Sequence, residues 1–459
     1  MHSFKPKKGS VHQDQTSAIS PARRSAFEIL RSVEQDSAYS SVLLAGLGEE
    51  MRTEDRALCH ELVLGVLRRQ LWLDCVIEHF ANRKPQGFDL AVKLALRLGL
   101  YQLRFLSRIP QSAAVNESVR LVRAAGISSA AGLVNAVLRG ATREPEYDPA
   151  AVVDGDEKTA IETSHPQWLI QRWANAFGFE HAVAFAHANN EPAPVAFRYT
   201  PKALAVEEQP ERIIKELEAS GALLTSSQIV PNAWRVTGAA GTVRQLARDG
   251  LIYLQDEASQ LVAHLLGAQS NERILDVCAA PGSKTTHIAM LAPQATIVAG
   301  DLHEHRLRTL KELAMRQGVA DIQFVVYDAT QPLPFAEESF DRVLVDAPCS
   351  GTGTLRRNPE IRWRLSPADI EELSRKQTRI LENAATVVKP GGHLVYSTCS
   401  VELEENEVVV EKFLTEHLDF DTAILDVPPE MLTETGAVRT WPHREGTDGF
   451  FIKAFEREQ

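Results

Sequence analysis

Apolar residues recur every three to four positions through the first third of the chain. Ala26, Phe27, Leu30 and Val33 form one such row, and Leu58, Leu62, Val66 and Leu67 another, entered through Thr53 with acids in its first turn. Leu94, Leu98 and Leu103 continue the pattern. Beyond Pro110, SAAVNESVRLVRAAG (residues 112–126) and GLVNAVLRG (132–140) add two helices with glycine stops. Nothing here alternates as a strand would, so residues 20–145 predict an all-α bundle. The proline- and acid-rich EPEYDPAAVVDGDE then predicts a linker. HPQWLIQRWANAFG reads as a short helix, VAFRYT as a strand and residues 211–219 as a helix, so 146–240 predicts a linker and a small α+β module without evident chemistry. From residue 241 the period changes. ERILDV, ATIVAGD, IQFVVYD, RVLVDA, GHLVYST and GFFIKAF are short, continuous apolar runs separated by helical stretches. That pattern predicts an α/β domain over 241–459, with a mostly parallel sheet covered on both faces.

Composition narrows the class. A chain of 459 residues should hold two or three domains. No apolar run approaches a membrane span, and the start lacks the apolar centre of a signal peptide, reading instead as a flexible basic tail over residues 1–19. The five cysteines (Cys59, Cys75, Cys278, Cys349, Cys399) include no CxxC pair. They predict a reducing cytoplasm, without a disulfide framework or a metal site. The net charge of −12 is uneven: residues 1–145 hold 20 Lys+Arg against 14 Asp+Glu, whereas residues 241–459 hold 22 against 34. A polyanion-facing surface would start in the basic helical third, where Arg97, Arg104, Arg108, Arg120, Arg123 and Arg139 are candidates.

Ligands of open parallel sheets bind beyond the carboxyl ends of the strands. The first strand of the α/β segment runs into DVCAAPGSKTTHIA, where small residues and Gly282 let a ligand approach the backbone. This is neither GxGxxG nor GxxxxGK[ST], which sets aside a nicotinamide-dependent oxidoreductase and a P-loop enzyme. The next strands end in Asp301, Asp328 and Asp346. An acid after the second strand suits ribose hydroxyls, and one after the third can accept from an adenine amino group. Two further strand ends carry thiols, Cys349 in DAPCSGTG and Cys399 in YSTCS. Cytosine C5 is a poor nucleophile until a thiolate adds to C6, after which it can take a methyl from a sulfonium. Asp346, three residues before Cys349, could serve the ring. A silent RNA-binding factor would have no use for this set of thiols and acid. Beyond Cys349, LRRNPEIRWRL groups Arg356, Arg357, Arg362 and Arg364 around Trp363, a candidate RNA contact.

DVCAAPGSKT, DAPCSGTG and YSTCS, in this order, closely resemble the RNA cytosine-C5 methyltransferases of the Nop2/NSUN/Sun group. The helical third resembles the NusB-like RNA-binding domain. The resemblance implies a Rossmann-like class I methyltransferase fold and S-adenosyl-L-methionine as cofactor. It also implies small-subunit rRNA as partner, bound by a monomer without metal or membrane. Cys278, Ala279, Ala280, Pro281, Gly282, Ser283 and Lys284 would wrap the methionine end of the cofactor, Asp301 its ribose and Asp328 its adenine side, with Asp346 at the target base near the methyl. In this group the attacking thiol is that of the TCS motif, here Cys399, and the PCS thiol, here Cys349, serves product release. The implied target is cytosine 967 of 16S rRNA, the alternative being another rRNA or tRNA cytosine.

Overall fold

A computed structural model describes residues 19–48 and 50–459. The tail expected over residues 1–19 lies, Ile19 apart, outside the described residues. The chain divides into two compact units after Ser164.

The first unit is all-helical. Its long helices are Pro21–Gln35, Thr53–Arg68, Gln70–Ala81, Leu90–Phe105, Gln111–Ala124 and Ala131–Arg143. Asp89 starts the central one by accepting from the Ala91 N–H at 2.8 Å. That helix is buried along nearly its whole length, from Ala91 to Gln102, because the other helices pack around it. Arg97, on its buried side, is committed inside: its guanidinium donates to both Asp74 oxygens (2.7 and 2.6 Å) and to Glu34 (2.8 Å). It is therefore a structural residue and no RNA contact. Arg108, Arg123 and Arg139 stay exposed. The segment expected as a linker is built into this unit. Asp148 accepts from the Trp72 indole and caps a turn at Pro149–Val152, and the helix Gly155–Thr163 follows. Its prolines and acids mark a capped turn here.

The second unit, His165–Gln459, opens with the helices Gln167–Phe177 and Phe179–Ala188. A four-stranded antiparallel sheet follows: β1 (Val195–Tyr199), β2 (Leu223–Ser226), β3 (Ala233–Thr237) and β4 (Ile252–Leu254), in the order β2-β3-β1-β4. The helices Gln209–Ala219 and Ala240–Arg248 share its core through Ile213, Leu217, Val243 and Leu246. Because β4 pairs with β1, the α+β module extends past residue 241, and the larger sheet is entered only through the helix Glu257–Leu265.

That larger sheet holds β5 (Arg273–Asp276), β6 (Thr296–Asp301), β7 (Ile322–Val326), β8 (Phe340–Asp346), β9 (Val388–Thr398), β10 (Phe420–Thr422) and β12 (Phe451–Arg457). The order is β10-β12-β9-β8-β5-β6-β7, and β11 (Val438–Arg439) pairs with β12. Strands β5 to β9 are parallel, β12 runs antiparallel to them, and β10, antiparallel to β12, returns to their direction. Successive residues go to opposite faces: Ile274 and Ile297 join one apolar cluster, Leu275 and Val298 the other. The fold is a Rossmann-like α/β unit. Its order reverses between β5 and β8, which opens a crevice at their carboxyl ends. Among the described residues no helix is long and apolar enough to cross a membrane.

Candidate active site

Strand register brings the two thiols together. Asp346, the last residue of β8, pairs with Ser397 of the neighbouring parallel strand β9. Cys349 lies three residues beyond that pair and Cys399 two, so both leave the same sheet edge side by side. Their sulfurs are 3.2 Å apart, within hydrogen-bond reach. Hydrogen bonding to Cys399, followed by burial, pushes the Cys349 thiol well above the usual cysteine range. Cys278, which the same strand-end logic singles out, is raised chiefly by burial and then by Asp276, so it is inert as a nucleophile. Cys59 and Cys75, in the helical unit, are pushed up to about 11, by burial first in both cases.

Asp346 is oriented from both sides. Its Oδ1 accepts from the Ser397 hydroxyl at 2.8 Å and its Oδ2 from the Lys284 ammonium at 2.6 Å. Burial opposes the charge of Lys284, but Asp346, with smaller help from Cys399 and Asp276, holds the ammonium above its usual value. Lys284, expected on the cofactor, turns instead to Asp346 and the Cys399 side, over the Phe450 ring at 5.2 Å. Nothing in the spacing of GSKT signals this, since Asp346 is 62 residues away.

A cleft of about 290 Å³ runs along the strand ends. Val277, Cys278, Ala280, Asp301, Leu302, Asp328, Ala347, Pro348 and Ile380 line it, and Asp346, Cys349 and Cys399 close one end. The three strand-end acids and both thiols therefore share one cavity. Asp301 is buried, accepts from the His303 N–H at 3.0 Å and pairs with Arg306 at 3.3 Å. Asp328 is exposed at the far end, and the Thr330 hydroxyl and N–H it accepts hold it below the usual carboxylate range. Of the loop 278–284, Cys278 and Ala280 face the cleft and Ala279 packs into the core. Pro281 precedes Gly282, whose φ of +109° admits few residues other than glycine, and Ser283 starts the helix Ser283–Leu291. The cleft suits S-adenosylmethionine: small residues at the backbone approach, apolar Leu302, Pro348 and Ile380 beside the acids, and a buried carboxylate where β6 ends.

The arginines beyond Cys349 do not reach out. Arg356 is buried on Asp448 (3.5 Å), and Arg357 bridges Asp448 (2.7 Å) and Asp256 (2.8 Å). Arg362, fully buried, donates to the Asn190 side chain at 3.0 Å and the Asn189 carbonyl at 3.4 Å. Trp363 is half-buried. Arg356, Arg357 and Arg362 tie the β8–β9 connection to distant segments, which corrects their reading as phosphate contacts. The same knitting needs Gly353. Its N–H donates to the Cys399 carbonyl (3.0 Å), its carbonyl accepts from the Gly449 N–H (2.8 Å), and a Cβ there would overlap the Gly449 carbonyl. The exposed cations beside the cleft are instead Arg375 and Arg379 with half-buried Lys376, on the helix Pro367–Ala385, around a second hollow that shares Leu302, Asp328 and Lys376 with the first. SRKQTR carries that signal, but a charged helix face is ordinarily just solvated. Glu405, also absent from the sequence reading, is fully buried against both thiol loops.

An α/β sheet with a nucleoside-type cleft that ends on paired thiols and a fixed carboxylate defines a cofactor-dependent methyltransferase. Comparison with known proteins specifies it. Residues 263–456 match the family described as "16S rRNA methyltransferase RsmB/F", residues 20–143 the NusB family, and residues 165–242 the RsmF/B-like ferredoxin-like domain. The chain is 36% identical over 444 residues to the "Probable ribosomal RNA small subunit methyltransferase B" of Bacillus subtilis (94% of this chain, 98% of that one). It is 35% identical over 447 residues to the ribosomal RNA small subunit methyltransferase B of Pasteurella multocida (95% and 96%). The solved structure of PH0851 superposes with a TM-score of 0.82 at 30% identity, covering 96% of this chain and 99% of that one. The chain belongs to the ribosomal RNA small subunit methyltransferase B family, and is an S-adenosylmethionine-dependent RNA methyltransferase with a NusB-like domain ahead of its catalytic unit.

Proposed function

We propose that this enzyme methylates C5 of one cytosine in small-subunit rRNA, the position equivalent to 967 of 16S rRNA, through a covalent bond from Cys399 to C6. The observation that carries the reading is the pair of sulfurs 3.2 Å apart, beside a carboxylate held by both a serine and a buried lysine. Cys399 attacks as its thiolate, with the Lys284 ammonium nearby. Addition of that thiolate to C6 pushes electron density onto C5, and Asp346, fixed at both oxygens, faces the base edge to accept from the 4-amino group. Bound S-adenosylmethionine supplies a methyl on a sulfonium, with Cys278–Ser283, Asp301 and Asp328 as the residues proposed to hold it. Once C5 carries the methyl, its proton passes to water, the electron pair left behind forms the C5–C6 double bond, and the C6–S bond breaks to release the Cys399 thiolate. The neutral Cys349 S–H can then hydrogen-bond the departing Cys399 thiolate, which makes it a better leaving group. A stacked base cannot present C5 and C6 together to two groups, so the cytosine enters the cleft unstacked. The work is that of a cytoplasmic monomer on rRNA, and the five free cysteines support the reducing compartment. Bisulfite mapping of rRNA from cells lacking the enzyme tests the target. Loss of the modification at that cytosine alone is expected, and an unchanged map of the small-subunit rRNA would refute the assignment.

The cations at the cleft mouth point to the RNA path. None of Arg375, Lys376 and Arg379 is ion-paired among the described residues, on a protein of net charge −12. Each phosphate neutralised by a cation contributes about 0.7 to 0.9 to the slope of log affinity against log salt. The Arg375→Ala/Arg379→Ala double variant should therefore flatten that slope by about 1.5 and leave cofactor affinity unchanged. Filter binding of 16S rRNA fragments across a salt series measures it, and an unaltered slope would place the RNA elsewhere.

A further inference from the structure

One carboxylate is shared by the two loops that carry the thiols. Glu405 lies six residues past Cys399 in the short helical turn Leu403–Glu405, is completely buried, and meets four donors. Its Oε1 accepts from the Ser350 N–H (2.8 Å) and the Gln377 amide (2.9 Å). Its Oε2 accepts from the Ser350 hydroxyl (2.5 Å) and the Ser400 hydroxyl. Ser350 directly follows Cys349, and Ser400 directly follows Cys399. The two hydroxyls also touch each other at 3.0 Å. Gln377 uses the same amide nitrogen to hold the Pro348 carbonyl at 2.9 Å, on the other side of Cys349. No lysine or arginine pairs with Glu405 among the described residues. A buried carboxylate without a cation costs several kcal/mol unless hydrogen bonds replace its water, so an ordinary core position would not favour it. All of its donors come from, or brace, the thiol loops.

We propose that Glu405 is a positioning residue: its carboxylate clamps the residues following Cys349 and Cys399 and thereby fixes the separation of the two sulfurs. This deepens, and rests on, the two-thiol reading above. Strand pairing ends at Asp346 and Ser397, and the backbone links beyond it, Ala347 N–H to the Ser397 carbonyl (2.9 Å) and Gly353 N–H to the Cys399 carbonyl (3.0 Å), leave Cys349 and Ser350 without a backbone bond to the facing loop among the described residues. The carboxylate closes the gap with one group that accepts from both sides at once. Its neighbour Asn406 completes the hold on the Cys399 loop, accepting from the Thr398 hydroxyl at 2.6 Å and donating to the Ser400 carbonyl at 2.9 Å.

Sulfur separation can be read without RNA. Phenylarsine oxide condenses with two adjacent thiols, forming two As–S bonds and releasing one water, with no change of oxidation state beyond the exchange of oxygen for sulfur ligands. The parent enzyme should bind one equivalent, lost in Cys349→Ala and in Cys399→Ala. Glu405→Ala should bind it at least tenfold more weakly and transfer methyl at least tenfold more slowly in kcat, with the Kd for S-adenosylmethionine within twofold. Glu405→Gln should recover both to within threefold: its carbonyl still accepts from Ser350 N–H and Gln377, and its amide can donate to hydroxyls free to rotate. If Glu405→Ala does not fold, the Ser350→Ala/Ser400→Ala double variant removes both hydroxyl links, including the one from the carboxylate to Ser400, and should show the same paired loss. Parental arsenical binding and kcat in Glu405→Ala, or in the double serine variant, would overturn the proposal. So would a Gln variant as impaired as Ala. Failure of the underlying reading looks different, because then the parent itself would hold the arsenical yet form no adduct with RNA.

Discussion

Cys399→Ala should abolish methyl transfer, with a fall of about ten-thousand-fold or more, the scale seen when a covalent nucleophile is removed. No covalent adduct should form on 5-fluorocytosine-substituted rRNA, because no sulfur remains to add at C6. Cys349→Ala should do the opposite at the same step. It keeps the attacking thiol and Lys284, so addition and methylation proceed, but the leaving thiolate loses the Cys349 S–H that would hydrogen-bond it from 3.2 Å away. A stable protein–RNA adduct should accumulate on unmodified rRNA, seen as a slow band on a denaturing gel in the Cys349 variant and absent in the double cysteine variant. The two thiols are near-equivalent in distance and exposure. The asymmetry of phenotype therefore tests roles and not mere presence. If Cys399→Ala trapped RNA and Cys349→Ala abolished addition, the roles would be reversed.

Asp346→Asn should lower kcat by about a hundred- to ten-thousand-fold, the range for a group that handles a proton or charge at the reacting ring. The asparagine keeps the shape and can still accept from Ser397, but it turns an amide toward the Lys284 ammonium. That strands a cation only 8% exposed. Breaking a buried pair on one side costs about 3–5 kcal/mol, so the variant should also unfold at lower denaturant. Adding Lys284→Met removes the stranded charge. The double variant should regain most of the stability and none of the activity, and that split separates the catalytic part of the pair from the structural part. Equal recovery of both would mean that Asp346 serves only to hold Lys284. Single-turnover methylation and urea unfolding on the same preparations give the two numbers.

Much of the site is legible along the chain because strands of a parallel sheet end at one edge. An acid or thiol just past an apolar run is then near every other such residue, which is how Asp301, Asp328, Asp346, Cys349 and Cys399 could be grouped without coordinates. The legible part stops where partners come from far away in sequence. Arg357 looks like a surface residue until Asp256 and Asp448, each about a hundred positions off, close on it. Lys284 belongs by spacing to the glycine turn, yet one hydrogen bond turns it toward Asp346. Glu405 sits in ELEENE, which reads as a solvated helix start, and only its burial on Ser350 distinguishes it from the acids beside it. The module boundary is missed for a related reason. The run Ile252–Leu254 is too short to show by periodicity which sheet it joins, and its pairing with β1 decides the matter.

The central claim is that Cys399 and not Cys349 bonds to the base. Its most direct measurement is mass spectrometry of the parent enzyme trapped on 5-fluorocytosine-substituted 16S rRNA in the presence of S-adenosylmethionine, digested with nuclease and protease. The account predicts a nucleotide mass on the peptide containing Cys399 and an unmodified peptide containing Cys349. A nucleotide on the Cys349 peptide, or no adduct on either, would contradict it.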